Sequence, residues 1–264
     1  MDKLIKSIIL GLIQGLTEWL PISSTGHLRI AENLIGLNVP LLFDVILHVG
    51  TLLVVASFFK SEVTGILSAL ARLDFKSNHG RLIPLIIVGT VPTVLIGLIF
   101  SIFFESAFEN LLLIAYAFLA CGVFLYLSKA GREKTGEISG VDALIIGIAQ
   151  GIAVIPGISR SGATISAALM LGISREKAFK FSFLLSIPAV IASLGLTFYT
   201  HFNELLSLGF GLIEILSGAF MAVLVGYLAL KILWKTIVKK KFHFFAFYCW
   251  VLSVLLIVFS LGFF

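Results

Sequence analysis

The chain has 264 residues, of which 59% are hydrophobic and only 12% charged, and its mean hydropathy is +1.12. Soluble globular chains carry about 25% charged residues, so this composition excludes a soluble domain and predicts an integral membrane protein. The net charge of +5 does not imply nucleic acid, because Lys and Arg fall in short connections between apolar runs, where they set topology and attract anionic headgroups.

In chain order, the first element is an apolar segment through Gly11, Gln14, Gly15 and Glu18 that breaks at Pro21. We read it as retained rather than as a cleaved signal, since no small-residue cleavage site precedes Glu18. A hydroxyl-rich turn follows through Ser23, Ser24, Thr25, Gly26 and His27. Apolar stretches over 41–59, 83–104 and 110–128 are each long enough to cross a bilayer of about 30 Å. The second half repeats the plan. Gly147, Gln150 and Gly151 lead to Pro156, and the turn is Gly157, Ser159, Arg160, Ser161, Gly162 and Thr164. Gln14 and Gln150 are 150 − 14 = 136 positions apart. Stretches over 179–200, 208–234 and 244–264 complete six predicted spans. Cys121 and Cys249 lie inside apolar stretches and read as packing residues, not as a disulfide framework or a zinc site.

The distribution of Lys and Arg orients these spans. The 60–82 connection (Lys60, Arg72, Lys76, Arg81), the 129–140 connection (Lys129, Arg132, Lys134) and the 235–243 connection (Lys235, Lys239, Lys240, Lys241) are predicted cytoplasmic. The turns near 105–109 (Glu105, Glu109) and 201–207 (His201, Glu204) contain no Lys or Arg and fall outside. Lys3 and Lys6 run against this orientation, and the agreement of the later loops outweighs them. Both proline-broken segments then enter and leave on one face, and the two enter from opposite faces. The expected architecture is a single all-α membrane domain over 1–264, with six transmembrane helices and two re-entrant helix–turn–helix segments. Inverted-topology repeats, about 1–128 and 137–264, are joined by a linker at 129–136. Broken segments of this kind survive only inside protein or beside a wet cavity, so the two turns should meet near the middle of the molecule.

The turns concentrate groups that are costly in lipid. Glu18 lies four residues after Gln14 on one helical face; a carboxylate there marks a functional site, unless it serves only as a cap or ion-pair partner. Ser23, Ser24 and Thr25 offer N-cap hydroxyls at a helix start that suits an anion, with Gly26 among them. His27 is three residues from Ser24, which permits a nucleophile–base pair. Arg160 can fork onto phosphate oxygens or neutralise Glu18, with Ser159, Ser161, Gly162 and Thr164 around it. Asp44 and His48, spaced i, i+4, could orient His27, help hold a divalent cation, or pair with one another. One carboxylate, one histidine, one arginine and several hydroxyls suit phosphoryl transfer on a phosphate whose organic portion is a lipid.

These residues resemble a known family. Gln14 to Glu18 is similar to its (E/Q)xxxE motif, Pro156 to Thr164 to its PGxSRSxxT motif, and Ser23 to His27 to the turn between them. The family is the undecaprenyl-diphosphate phosphatases of the bacitracin-resistance type, and the resemblance covers essentially the whole chain. It implies hydrolysis of a C55 polyprenyl diphosphate to the monophosphate and inorganic phosphate, recycling the lipid carrier for cell-envelope glycans. It also implies a plasma-membrane enzyme dependent on a divalent cation, Mg2+ or Ca2+. Glu18, His27 and Arg160 match essential positions, with Glu18 the one candidate metal ligand. Ser24 matches the proposed nucleophile, and Ser159, Ser161 and Thr164 match phosphate-binding hydroxyls. Gln14 stands where many members carry glutamate, which weakens any scheme with two carboxylates on one metal. The first turn opens outward in this topology, so the site is expected on the outer face. A transporter or flippase of polyprenyl phosphate lipids is the alternative that inverted repeats allow. A homodimer is left open, and no nucleic-acid partner is expected.

Overall fold

The computed structural model describes residues 3–35, 41–104, 110–134, 136–200 and 211–261, and all regular structure among them is helical. Two short helices open the chain, α1 (Lys3–Trp19) and α2 (Ser24–Ile35). They are followed by α3 (Leu41–Phe58), α4 (Lys60–Ala71), α5 (Leu82–Phe103) and α6 (Leu111–Leu127). The second half contains α7 (Gly140–Ile152), α8 (Arg160–Met170), α9 (Arg175–Thr200), α10 (Leu212–Val238) and α11 (Phe245–Ser260). Among the described residues, five helical segments are long and apolar enough to cross a membrane: α5, α6 extended to Ala130, α9, α10, and Phe242–Ser260 with α11. The sixth is α3, which passes only together with α4, and that pair is bent by 87°. All six predicted spans therefore correspond to helices. The predicted turns at 105–109 and 201–207 lie outside the described residues.

One element goes beyond the sequence expectation. Part of the 60–82 connection is the helix α4, turned nearly at right angles to α3. Leu67, Leu70, Leu73 and Phe75 on and just after it are exposed, beside Arg72 and Lys76. That combination of apolar and basic residues suits a helix lying in the membrane–water interface. Lys180 reaches α4 from α9 with a 2.9 Å ion pair to Glu62.

The proline-broken segments are helix–turn–helix units. α7 has 13 residues and α8 has 11. At 1.5 Å per residue α7 is about 20 Å long, too short to span the bilayer core. It begins at a capping box, in which Ser139 Oγ accepts from Asp142 N at 3.1 Å and Asp142 Oδ2 accepts from Ser139 N at 2.9 Å. It ends in a turn containing Gly157 at φ +101°, a left-handed conformation that glycine adopts without strain. Ser159 then caps α8 by accepting from Gly162 N at 3.1 Å.

Close backbone contacts hold the short helices in place. α1 packs along α10, α7 along α5, and α6 along α11. Gly11 lies against the backbone of Gly218, and Gly147 against that of Gly89, so a side chain at either position would strike main chain. Small residues permit such approach where helix association cannot rely on the hydrophobic effect. Beneath the first turn, Trp19, Phe59, Phe179 and Phe183 form an aromatic cluster. Its centroid separations from Phe183 are 5.4 Å to Trp19, 5.9 Å to Phe59 and 4.7 Å to Phe179.

The α5–α7 contact makes a prediction. Gly147→Leu should cost about 1–3 kcal/mol by overpacking, read as a lower thermal midpoint of the detergent-purified protein. Gly195→Ala, where an added Cβ meets no atom within 4 Å, should leave the midpoint unchanged or raise it. Equal midpoints for Gly147→Leu and the parent would contradict the close contact.

Candidate active site

Glu18 occupies the last turn of α1 and is buried. Its Oε1 pairs closely with Nη2 of Arg160, the first residue of α8. Its Oε2 accepts from Ser24 Oγ at 2.6 Å and from Gln14 Nε2 at 3.1 Å. His48 Nε2 stands 3.9 Å from the same oxygen. The i, i+4 spacing of Gln14 and Glu18 puts both on one helical face. The Arg160 guanidinium lies 5.2 Å from the centroid of the Trp19 ring, so the cation is held between a carboxylate and an aromatic face. A carboxylate at membrane depth is tolerated only when paired, and Arg160 supplies the pair.

The two turns interlock through hydroxyls and amides. Ser23, at φ 66°, accepts from Gly157 N at 3.0 Å and from Gly26 N at 3.4 Å through its Oγ. Ser159 Oγ lies 3.4 Å from Leu20 O and 3.2 Å from Ser161 Oγ. Gly26 faces the Phe118 ring so closely that a Cβ would collide with it. The cysteines back the turns from behind: Cys121 Sγ accepts from Ser159 N at 3.4 Å, and Cys249 Sγ donates to Pro21 O at 3.8 Å. Both are free thiols, as packing residues should be.

His27 sits differently from the sequence expectation. Ser24 Oγ is bonded to Glu18, not to His27, so the anticipated Ser24–His27 pair is not formed. His27 Nδ1 lies 2.7 Å from Ser23 O, and its Nε2 lies 2.6 Å from the hydroxyl of Tyr248. The His27 and Tyr248 rings stack at 5.7 Å and 15°, with Phe118 edge-on to His27 at 5.4 Å. Tyr248 is 221 positions away in sequence, and no local spacing announces it. Trp19 was also missed, although its place beside Glu18 could have suggested a platform for a cation.

The remaining candidates divide. Thr164 Oγ1 donates to Arg160 O at 2.8 Å and sits against Ser182 Oγ, a partner the sequence did not suggest. Ser161 and Gly162 are buried at the start of α8, whereas Thr25 is exposed. His48 Nδ1 is 3.0 Å from Asp44 O and 3.6 Å from Asp44 Oδ1. Asp44 therefore reaches Glu18 through His48, and not His27. An apolar cavity of about 990 Å3 adjoins this centre between α1, α2, α10 and α11, with His27 and Tyr248 in its wall.

Among the described residues, three buried atoms on the neighbours of Glu18 have no hydrogen-bond partner: Arg160 Nη1 and Trp19 Nε1, both donors, and Gln14 Oε1, an acceptor. Unsatisfied buried polar atoms are costly, and here the free Arg160 donor and the free Gln14 acceptor both belong to side chains bonded to one carboxylate.

The sequence family described as "Bacitracin resistance protein BacA" matches residues 7–255. A protein named undecaprenyl-diphosphatase from Carboxydothermus hydrogenoformans is 44% identical over 260 residues, covering 96% of each chain. One of the same name from Desulforapulum autotrophicum is 41% identical over 273 residues, covering 97% of this chain and 98% of its own. A third, from Methanobrevibacter smithii, is 36% identical over 275 residues with 98% of each covered.

The Glu18–Arg160 pair yields a stability prediction. Glu18→Ala leaves the guanidinium without its counter-charge and should destabilise by about 3–5 kcal/mol. Glu18→Gln still accepts from Arg160 and should cost less. Thermal midpoints in detergent check this, and the reverse order would contradict the pairing.

Proposed function

The chain belongs to the bacitracin resistance protein BacA family, and on that premise we propose that it is an integral membrane phosphatase. Its substrate is undecaprenyl diphosphate, which it hydrolyses to undecaprenyl phosphate and inorganic phosphate, recycling the lipid carrier for cell-envelope glycan synthesis. The names carried by relatives at 36–44% identity support the substrate. The observation that carries the chemistry is the free Arg160 Nη1 beside the interlocked turns.

Arg160 holds Glu18 with Nη2 and offers Nη1 to a phosphoryl oxygen. The N-terminus of α8 adds its dipole, and Ser161 lies in that first turn. His27 accepts a proton at Nε2 from the nucleophile, which attacks the terminal phosphorus. The bond from that phosphorus to the bridging oxygen breaks, and undecaprenyl phosphate leaves. Attack by water gives inorganic phosphate directly, whereas attack by Ser24 leaves a phosphoserine that a water then hydrolyses to inorganic phosphate. The nucleophile is Ser24 or a water. Ser24 must first give up its 2.6 Å bond to Glu18, whereas a water meets no such constraint.

The resemblance also implies Mg2+ or Ca2+. Among the described residues, no group of three His, Cys, Asp or Glu side chains gathers as a cage. Mg2+ commonly takes one or two carboxylates and completes its shell with substrate phosphates and water. Glu18 and the unpartnered Gln14 Oε1 fit that pattern and would hold the ion. When bound it neutralises diphosphate charge.

We read the chain as an inverted repeat in the plasma membrane, with its site opening to the outer face. A shift of 136 supports the repeat. It carries α1 (3–19) to 139–155, over α7, and α5 (82–103) to 218–239, over α10. The α1–α10 contact thereby maps onto the α7–α5 contact, and α6 maps onto its own partner α11. The orientation rests on the basic connections read from the sequence.

Phosphate release from undecaprenyl diphosphate by detergent-purified protein tests the reading, with and without Mg2+ or Ca2+. Release should require the cation and fall roughly 100-fold or more in His27→Ala and Arg160→Ala. No release from folded protein would overturn the phosphatase. In the same assay Ser24→Ala separates the nucleophiles: loss comparable to His27→Ala assigns Ser24, and retained turnover assigns water.

A further inference from the structure

The hydrogen bonds around His27 determine its tautomer. Ser23 O can only accept, so Nδ1 carries the proton and donates to it at 2.7 Å. Nε2 therefore bears the lone pair, and the Tyr248 hydroxyl donates to it at 2.6 Å. The one nitrogen able to take a proton is already capped. A general base must lie within hydrogen-bond reach of the proton it removes, and neither Ser24, which is bonded to Glu18, nor a water can occupy Nε2 while Tyr248 does. Turnover therefore requires the Tyr248 hydroxyl to leave.

Of the two rings, Tyr248 is the one free to move. His27 is fixed by Ser23 and abutted by Phe118, whereas Tyr248 is 45% exposed on α11. Its surroundings are the 990 Å3 cavity, which extends from Leu12 on α1, past His27 and Tyr248, to Lys241 beyond α10. Only Thr17, His27, Thr236, Lys241 and Tyr248 are polar among its lining residues. A diphosphate whose terminal phosphorus is served by His27 has its organic chain beside the wall that His27 lends to this cavity. The space reaches His27 and is apolar, which fits an isoprenoid chain.

We propose that Tyr248 is a specificity-determining residue: it caps the basic nitrogen of His27 until an isoprenoid chain fills the adjoining apolar cavity and moves its ring aside. This rests on the phosphatase reading. A diphosphate with a short chain binds the same arginine but leaves the cap in place. Discrimination then appears in kcat rather than in KM, because chain-binding energy is used to assemble the catalytic group.

The test measures kcat and KM for undecaprenyl diphosphate and farnesyl diphosphate with the wild type, Tyr248→Phe and Leu16→Trp. Tyr248→Phe keeps the ring and removes the cap. Leu16→Trp narrows the cavity from α1. In Tyr248→Phe the ratio of the two kcat values, long chain over short, should fall about tenfold or more. Leu16→Trp should lower kcat/KM for undecaprenyl diphosphate about tenfold and leave farnesyl diphosphate unaffected. Equal change of both substrates in Tyr248→Phe, or no change in either, would overturn the cap while leaving the phosphatase intact. Equal loss on both substrates in Leu16→Trp would remove the chain from the cavity and overturn the coupling. No phosphate release by wild type from either substrate would overturn the phosphatase reading and this proposal together.

Discussion

The structure depends on the ion pair between Glu18 and Arg160, two residues 142 positions apart. Each is a charge that lipid would reject, and each lies beside a turn whose backbone no membrane-spanning helix satisfies. Neither broken segment is viable alone at membrane depth. Together they neutralise one another's charge and share hydrogen bonds, with Ser23 Oγ accepting from Gly157 N and Ser159 Oγ reaching Leu20 O. The site is thus one junction between the two halves, beside the α1–α10, α5–α7 and α6–α11 contacts, and binding chemistry is built from the groups that this junction requires.

Close packing makes the junction possible. Gly11 against Gly218 and Gly147 against Gly89 let the short helices approach long neighbours at backbone distance. Those contacts support elements too short to be anchored at both membrane faces. The aromatic cluster under Trp19 then presents a firm ring face to Arg160, which orients a side chain that would otherwise have many rotamers.

The long apolar runs were legible because bilayer thickness fixes their length and charge fixes their ends. The broken segments were legible because Pro21 and Pro156 interrupt apolar sequence just before hydroxyl and glycine residues. The Glu18–Arg160 pair could be named as one alternative, since few charges lie at that depth. Three things were not legible. α4 is short and mixes charge with leucine, so it reads as a connection. The partner of Ser24 depends on side-chain direction rather than spacing; Ser24 and His27 are three residues apart yet bond elsewhere. Tyr248 meets His27 only because α11 packs beside the first turn, which no local pattern encodes.

Gln14 gains a physical meaning from this geometry. Its Nε2 donates to Glu18 at 3.1 Å, which steadies the carboxylate. A glutamate there would set two negative charges one helical turn apart, and only Arg160 and a bound cation could offset them. With Gln14 the Glu18–Arg160 pair is balanced before any ligand arrives. The free Oε1 still offers a hard oxygen to a cation, and the free Nη1 still offers a donor to phosphate. The resting site is therefore electrically balanced and geometrically incomplete.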